Sequence, residues 1–342
     1  MRTSDFDYTL PQELIAQTPL EPRDSSRMLM LNRGSGHTEH AQFSDLPAYL
    51  SAGDLLVVND SRVIPARLQA HASAGGKNVE LLLLRREGPL LWQAIGRPSR
   101  HLKPGSRFQV SGADVDLEVL ELRDDTTRLV RLSTEEDMSR WGQVPLPPYI
   151  HQPLDDVERY QTVYAQEPGS AAAPTAGLHF TPRLLERLEE KGVNVASLTL
   201  HVGLDTFRPV HAEDPRAHKV HTEHFTVPEE TATAVNLAKR EGRKVVAVGT
   251  TAVRSLEQAA LWSQRSGTDS LETVSGWADL LVLPGHQFRL VDALVTNFHL
   301  PRSTTLMLAS AFAGWNRLKA AYEDAIQRSY RFYSFGDAML IL

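Results

Sequence analysis

From Pro65 to Pro148 the chain offers a series of short strand candidates with no long amphipathic helix between them, and this texture limits the fold more than any other feature. VELLLLRRE, LLWQAIG, SRFQVSG, VDLEVLELRD and TRLVRLST are separated by GG, EGP, KPG, SGAD and RDDT. Runs this short, rich in β-branched and leucine residues and bounded by glycine, proline and aspartate, predict antiparallel strands closed into a small barrel or sandwich. The proline-dense QVPLPPYI ends the block. Beyond it helix and strand patterns alternate: PRLLERLEEKG, VNVASLTLHVG, VPEETATAVNLAKREG, KVVAVGTTAVRSLEQAALW, WADLLVLPG, RLVDALVTNF, STTLMLASAFAG, WNRLKAAYEDAIQRSY and FGDAMLIL. Such alternation predicts helices covering a sheet. Residues 1–60 hold too little structure to stand alone, although LLVVN reads as a buried strand, so they are expected to pack with the C-terminal part. The expected fold is therefore an α/β core domain with an inserted small all-β, barrel-like domain: 1–64 plus 149–342 for the core, 65–148 for the insertion.

Composition removes several classes of function. With no cysteine in 342 residues, disulfides, thiolate catalysis and thiolate-bound metals are excluded. No apolar run approaches the roughly 20 residues of a membrane helix, and MRTSDFDYTLPQELIAQ lacks the basic and apolar segments of a signal peptide. A cytoplasmic protein with no membrane association is expected. The net charge of −6 argues weakly against nucleic acid, because phosphate binding needs only a local basic surface. GRPSRHLKPGSRF gathers Arg97, Arg100, His101, Lys103 and Arg107 with few acids near them in sequence. Further clusters are Lys239, Arg240, Arg243 and Lys244, and Arg317, Lys319, Arg328 and Arg331.

Chemistry-bearing residues concentrate where strands give way to helices. AAAPTAGLHFT precedes a helix signalled by Thr181 as N-cap and Pro182 at the first helical position. Its small residues suit close backbone approach, with Thr175, Gly177 and His179 at hand; a packed connection with a satisfied core histidine is the plain alternative. VVAVGTTAVRS sets Gly249, Thr250 and Thr251 between a buried strand and a helix, with Arg254 one turn on. Ligands of open α/β sheets bind at such strand ends, but a single glycine falls far short of a dinucleotide fingerprint. HKVHTEHF carries His218, His221, Glu223 and His224. The cluster invites a metal reading, yet the spacing is not HExxH, and histidines beside a glutamate also move protons without metal. DALVTNFHLPRSTT brings Asn297, His299 and Arg302 to a strand end. Arg23 lies in PLEPRDSSRML, and Asp60 and Arg62 sit in NDSRVIPARL beside the expected domain junction.

Taken together, FDYTLPQELIAQTPLEPRDSSRML, LLVVNDSRVIPARL, YQTVYAQEPGSAAAPTAGLHFTPRLLERL, HVGLDTFRPV, VGTTAVRSLE, DALVTNFHLPRSTTLMLASAFAG and RFYSFGDAMLIL resemble the S-adenosylmethionine:tRNA ribosyltransferase-isomerases of queuosine biosynthesis, in order from residue 5 to the C-terminus. The resemblance implies a two-domain enzyme, an α/β domain plus a barrel-like one. It implies as partners S-adenosylmethionine and a tRNA whose wobble guanine has become 7-aminomethyl-7-deazaguanine. The ribosyl part of S-adenosylmethionine would move onto the aminomethyl group and rearrange to an epoxycyclopentanediol, releasing adenine and methionine. Three positions depart from the family pattern: Asp205 in HVGLDTF where a glycine is usual, Val220 and Thr222 in HKVHTEH, and Thr305 in place of leucine.

That chemistry needs a base for a 5′ hydrogen acidified by the sulfonium, and a proton donor for departing adenine. His179, His201, His221, Glu223 and His299 are the catalytic candidates. Arg254 or Arg302 would take the methionine carboxylate, and Thr250, Asn297 or Asp60 the ribose hydroxyls. Arg23, Arg62, Thr175, Gly177 and Thr251 complete the substrate-binding candidates. No metal and no cofactor are expected, S-adenosylmethionine being consumed as a substrate, and a monomer is expected. Two other readings use the same residues differently: a metal-dependent hydrolase on His218, His221 and His224, or a non-catalytic tRNA-binding module using the β unit and its Arg97–Arg107 loop.

Overall fold

The computed structural model describes residues 1–72, 78–123, 127–203, 210–220 and 222–342. The first strands are β1 (Arg27–Leu31), β2 (Thr38–Gln42) and β3 (Leu55–Asn59), with the short helix α1 (Leu46–Tyr49) between β2 and β3. There follow β4 (Ser61–Val63), β5 (Arg67–Ala72), β6 (Asn78–Gly88), β7 (Leu91–Arg97), β8 (Arg107–Val110), β9 (Asp116–Leu122), β10 (Arg128–Leu132) and the short α2 (Met138–Trp141). The remainder alternates: β11 (Glu167–Ser170), α3 (Pro182–Glu190), β12 (Asn194–Leu200), β13 (Glu223–Val227), α4 (Glu229–Arg240), β14 (Val245–Val248) and α5 (Gly249–Arg265). It closes with β15 (Val274–Ala278), β16 (Ala293–Asn297), α6 (Thr304–Ala313), α7 (Trp315–Gln327) and β17 (Ala338–Ile341).

The chain divides into two compact units, one of residues 1–61, 147–167 and 173–342, the other of residues 62–146 and 168–172. In the second unit β5 to β10 form a closed antiparallel barrel in the order β10-β7-β6-β5-β8-β9. Its strands alternate because one face fills the interior: Leu68, Ala70, Leu81, Leu83, Trp92, Phe108, Leu117, Val119, Val130 and Leu132 are buried. The GRPSRHLKPGSRF cluster gains acids that sequence neighbours did not supply. Arg97 pairs with Glu80 at 2.8 Å and Arg107 with Glu118 at 3.2 Å, each across adjacent strands. Two of the five basic residues are thus held in cross-strand ion pairs.

The first unit is a mixed nine-stranded sheet in the order β15-β13-β12-β3-β14-β16-β17-β1-β2. Its centre, β12-β3-β14-β16, is parallel, and β3, β14 and β16 are buried at every position. Strands covered on both faces must read as continuous apolar runs, which is why LLVVN, VVAV and ALVTN look alike. The adjoining core contains Phe43, Leu56, Val58, Phe180, Leu184, Leu188, Val246, Val295 and Leu340. Thr181 caps α3 as expected, accepting the Leu184 amide hydrogen at 3.1 Å, and Ser303 does the same for α6 from Leu306. One expectation fails. WADLLVLPG is not a strand beyond Ala278, because the Asp279 and Leu280 amides donate to the Gln258 side chain and the Ala278 and Leu280 carbonyls accept from Arg254. Those groups are therefore withdrawn from any ladder.

Candidate active site

Three parallel strands, β3, β14 and β16, deliver their last residues to one place, the region where open α/β sheets hold ligands. A cleft lies there, lined by residues at the end of β16 (Thr296 and Asn297), by the first residues of α5 (Gly249 to Thr251) and by Thr305 in the first turn of α6. The Thr175 turn, His299, Tyr149, Tyr333 and Ser334 complete its walls. Among the described residues that line it there is no carboxylate, lysine or arginine. Thr250 and Thr251 stand here because Gly249, at φ +87°, turns the chain sharply out of β14 into α5.

A buried chain of hydrogen bonds forms one wall. Asn297 donates through Nδ2 both to the Tyr333 carbonyl, at 3.2 Å, and to His179 Nε2, at 3.1 Å. A carbonyl can only accept, so the amide orientation is determined, and with it the imidazole: Nε2 bears the lone pair and Nδ1–H donates to Ser26 Oγ at 2.7 Å. Thr175 Oγ1 gives its hydrogen to Asn297 Oδ1 at 3.0 Å. The lone pairs that Thr175 retains therefore accept hydrogen bonds and cannot donate. His179 is stacked on Phe43 with ring centres 4.9 Å apart, and burial first, then the Arg331 charge, lowers its pKa to about 3. It is a neutral, doubly bonded ring inside the wall.

His299 is placed differently. It lines the cleft, its Nε2 lies 2.8 Å from Thr296 Oγ1, and its backbone amide donates to Tyr322 Oη at 2.9 Å. Among the described residues no group bonds its Nδ1. Burial lowers its pKa to about 3, so the ring is unprotonated at neutral pH. Tyr149 and Tyr333 also line the cleft, their rings 4.8 Å apart, and Tyr149 Oη lies 2.7 Å from Ser334 Oγ. Tyr333 holds φ at +70°, a region costly for a bulky side chain, and the Asn297 amide grips its carbonyl.

A second, open cavity lies on the other side of the wall, bounded by Arg23, Ser26, Arg159, Leu178, His179 and Ser334 among others. Ser334 faces both cavities, and the Ser26–His179–Asn297–Thr175 chain runs from one to the other.

With this geometry in view, the chain can be set beside known proteins. The family model described as queuosine biosynthesis protein matches residues 3–341. The chain belongs to that family. It is 54% identical to the S-adenosylmethionine:tRNA ribosyltransferase-isomerase of Dehalococcoides mccartyi and 50% identical to that of Symbiobacterium thermophilum, in both cases over the whole of each chain. The crystal structure of S-adenosylmethionine tRNA ribosyltransferase from Thermotoga maritima is similar at 39% identity and a TM-score of 0.57, covering 99% of this chain and 100% of that one.

In this member of the queuosine biosynthesis family, the residues singled out from sequence fall into three groups. Thr175, Thr250, Thr251, Asn297 and His299 line the cleft. Arg23 and His179 line the second cavity instead. The rest are engaged elsewhere. Glu223 and Arg254, proposed separately as base and carboxylate binder, form a buried ion pair with each other, and Glu223 Oε1 also accepts the Gly203 amide at 2.7 Å. Arg302 pairs with Asp7 at the surface. Asp60 accepts from Thr199 Oγ1 at 2.7 Å. His201, its pKa lowered to about 4 by burial and by His224, bonds Ser61 Oγ at 2.8 Å. Gly177 is a packing position: a Cβ there would meet Tyr164 Oη at 2.2 Å. Arg62 belongs to the barrel unit. His221 and Asp205 lie outside the described residues. For the metal reading, His224 lies in a strand beside Glu223, so the two side chains point to opposite faces, and no metal-holding group occurs among the described residues.

Sequence reasoning missed Tyr149, Thr296, Tyr333 and Ser334. Tyr149 sits in a segment read only as a linker. Tyr333 and Ser334 sit in RFYSFGD, whose one visible signal was three aromatics beside a glycine.

Proposed function

We propose that this chain is an S-adenosylmethionine:tRNA ribosyltransferase-isomerase. It moves the ribosyl part of S-adenosylmethionine onto 7-aminomethyl-7-deazaguanine at the wobble position of tRNA and isomerises it, giving epoxyqueuosine-tRNA, adenine and methionine. Full-length similarity to proteins of that name supports the reaction, and the uncharged cleft at the ends of β14 and β16 is the observation that carries the reading to a site.

The cleft suits a cationic, hydroxyl-rich substrate. A sulfonium facing the Tyr149 and Tyr333 rings gains cation–π attraction without a carboxylate that it could alkylate. Ribose hydroxyls are donors, and Thr175 offers lone pairs that can only accept. His299 is the cleft imidazole with an unprotonated nitrogen, and in this reading Nδ1 receives the 5′ proton acidified by the adjacent sulfonium. The resulting imidazolium can return that proton to departing adenine, and the methionine thioether leaves as the epoxide closes. The aminomethyl nitrogen supplies the new bond to the ribosyl carbon. S-adenosylmethionine is a substrate throughout, and no step calls on a metal or a further cofactor.

The test is turnover: S-adenosylmethionine and an anticodon stem-loop bearing 7-aminomethyl-7-deazaguanine, followed by RNA mass and free adenine. The reading predicts a mass gain equal to the epoxycyclopentanediol, with one adenine per RNA. Intact RNA in the presence of folded protein would refute it.

A further inference from the structure

The second cavity has a charge pattern that the cleft lacks. Arg23 and Arg159 both line it, and the guanidiniums are held in place largely by backbone carbonyls. Arg23 donates to the Gln161 carbonyl at 2.5 Å and the Glu158 carbonyl at 2.9 Å. Arg159 donates to the Leu20 carbonyl and pairs with Glu21, a carboxylate whose side chain is 76% exposed. A third guanidinium, that of Arg331, donates to the carbonyl of Thr18, next to the cavity residue Pro19, and leaves a buried Nη1 without a hydrogen-bond partner. Carbonyls orient a guanidinium but do not neutralise it. Two guanidiniums thus line a cavity that no carboxylate lines among the described residues; the carboxylates that act on Arg23 from outside that lining are Glu21, Asp156 and Glu158, and Asp337 acts on Arg331. The like charges oppose each other: burial and then Arg159 depress the Arg23 pKa, and Glu21, Asp156 and Glu158 offset this only in part. Proteins hold cations this way where an oxyanion neutralises them.

We propose that this cavity is an oxyanion subsite that receives a phosphodiester group of the RNA substrate. The proposal rests on the reading that the chain acts on tRNA. The methionine carboxylate of S-adenosylmethionine is the other available oxyanion, but it comes with an ammonium group attached to the same carbon. That ammonium would stand beside two guanidiniums with no carboxylate among the lining residues to hold it. A phosphodiester brings negative charge alone, with oxygens on two sides for two forked donors. Ser26 and Ser334 add hydroxyls small enough to leave room for it. The His179 wall then sets a phosphate of the RNA beside the cleft in which the ribosyl group reacts.

The experiment compares wild type with Arg23→Gln, Arg159→Gln and the charge-keeping Arg23→Lys. It measures affinity for the anticodon stem-loop carrying 7-aminomethyl-7-deazaguanine across a series of potassium chloride concentrations, and separately KM for S-adenosylmethionine. Each glutamine variant is expected to bind the stem-loop about tenfold more weakly and to lower the slope of log affinity against log salt by roughly 0.7 to 1. Arg23→Lys should recover the slope, and KM for S-adenosylmethionine should move less than twofold. A rise in KM for S-adenosylmethionine with an unchanged salt slope would overturn the proposal in favour of the methionine carboxylate. Unchanged RNA affinity in both folded glutamine variants would overturn it outright. A wild type that neither binds nor converts the stem-loop would instead bring down the functional reading on which the proposal rests.

Discussion

The buried imidazole of His179 should make folding stability depend on pH in a way that one substitution removes. In the folded chain its pKa is lowered from 6.5 to about 3. The unfolded chain takes up a proton on this ring below pH 6.5, while the folded one does not until about pH 3, so stability is lost as pH falls through that window. Each pH unit below 6.5 removes about 1.4 kcal/mol, hence about 2 kcal/mol at pH 5. His179→Gln abolishes this loss and introduces another that is independent of pH. It breaks the bonds to Ser26 and Asn297 and the stack on Phe43, which should cost about 2–4 kcal/mol at pH 7.5. Urea unfolding of both proteins at pH 7.5, 6 and 5 should show the variant less stable at pH 7.5, with the gap narrowing by about 2 kcal/mol at pH 5. A gap that stays constant or widens on acidification would mean that His179 binds its proton as readily folded as unfolded, and the neutral wall would be refuted. Nitrogen-15 resonances of the folded protein give an independent check, since Nδ1 should carry the proton and Nε2 should be bare.

Three further perturbations test separate parts of the structure. Gly177→Ala should destabilise by about 1–3 kcal/mol, because the new methyl group would overlap Tyr164 Oη and Thr162 Cγ2; an unchanged melting temperature would show that the turn has room. Arg254→Met strands the buried Glu223 carboxylate and should cost about 3–5 kcal/mol, with part of the loss recovered when Glu223→Leu is added; additive losses in the double-mutant cycle would contradict the pairing. Glu257→Gln should lower stability by about 3 kcal/mol, since the fully buried carboxylate accepts from the amides of Arg289, Leu290 and Val291 at 2.9, 3.0 and 3.1 Å; chemical denaturation would read this directly.

Local chemistry was legible in the sequence wherever a residue's role depends on its neighbours. Thr181 and Ser303 cap their helices because a hydroxyl three residues before an amide satisfies it whatever surrounds them. The continuous apolar runs of β3, β14 and β16 pointed to a covered sheet, and polar residues at the end of β16 to a ligand site. What sequence could not show was choice of partner. Glu223 and Arg254 are 31 residues apart and each looks like a free functional group until the fold joins them. His179 reads as base or as core residue, and its role turns on a Tyr333 carbonyl 154 residues away that orients Asn297. Tyr149 and Tyr333 acquire their meaning only as a packed pair in the cleft wall, for which neither segment carries a local signal.

The central claim is that ribosyl transfer takes place in the uncharged cleft, with His299 handling the proton. The measurement that tests it most directly is the single-turnover rate of adenine release from S-adenosylmethionine, with the modified stem-loop saturating, in wild type and in His299→Gln. The account predicts a loss of at least about a hundredfold in the variant, with stem-loop affinity retained. Release at the wild-type rate from a folded His299→Gln protein would contradict it and move the chemistry to another site.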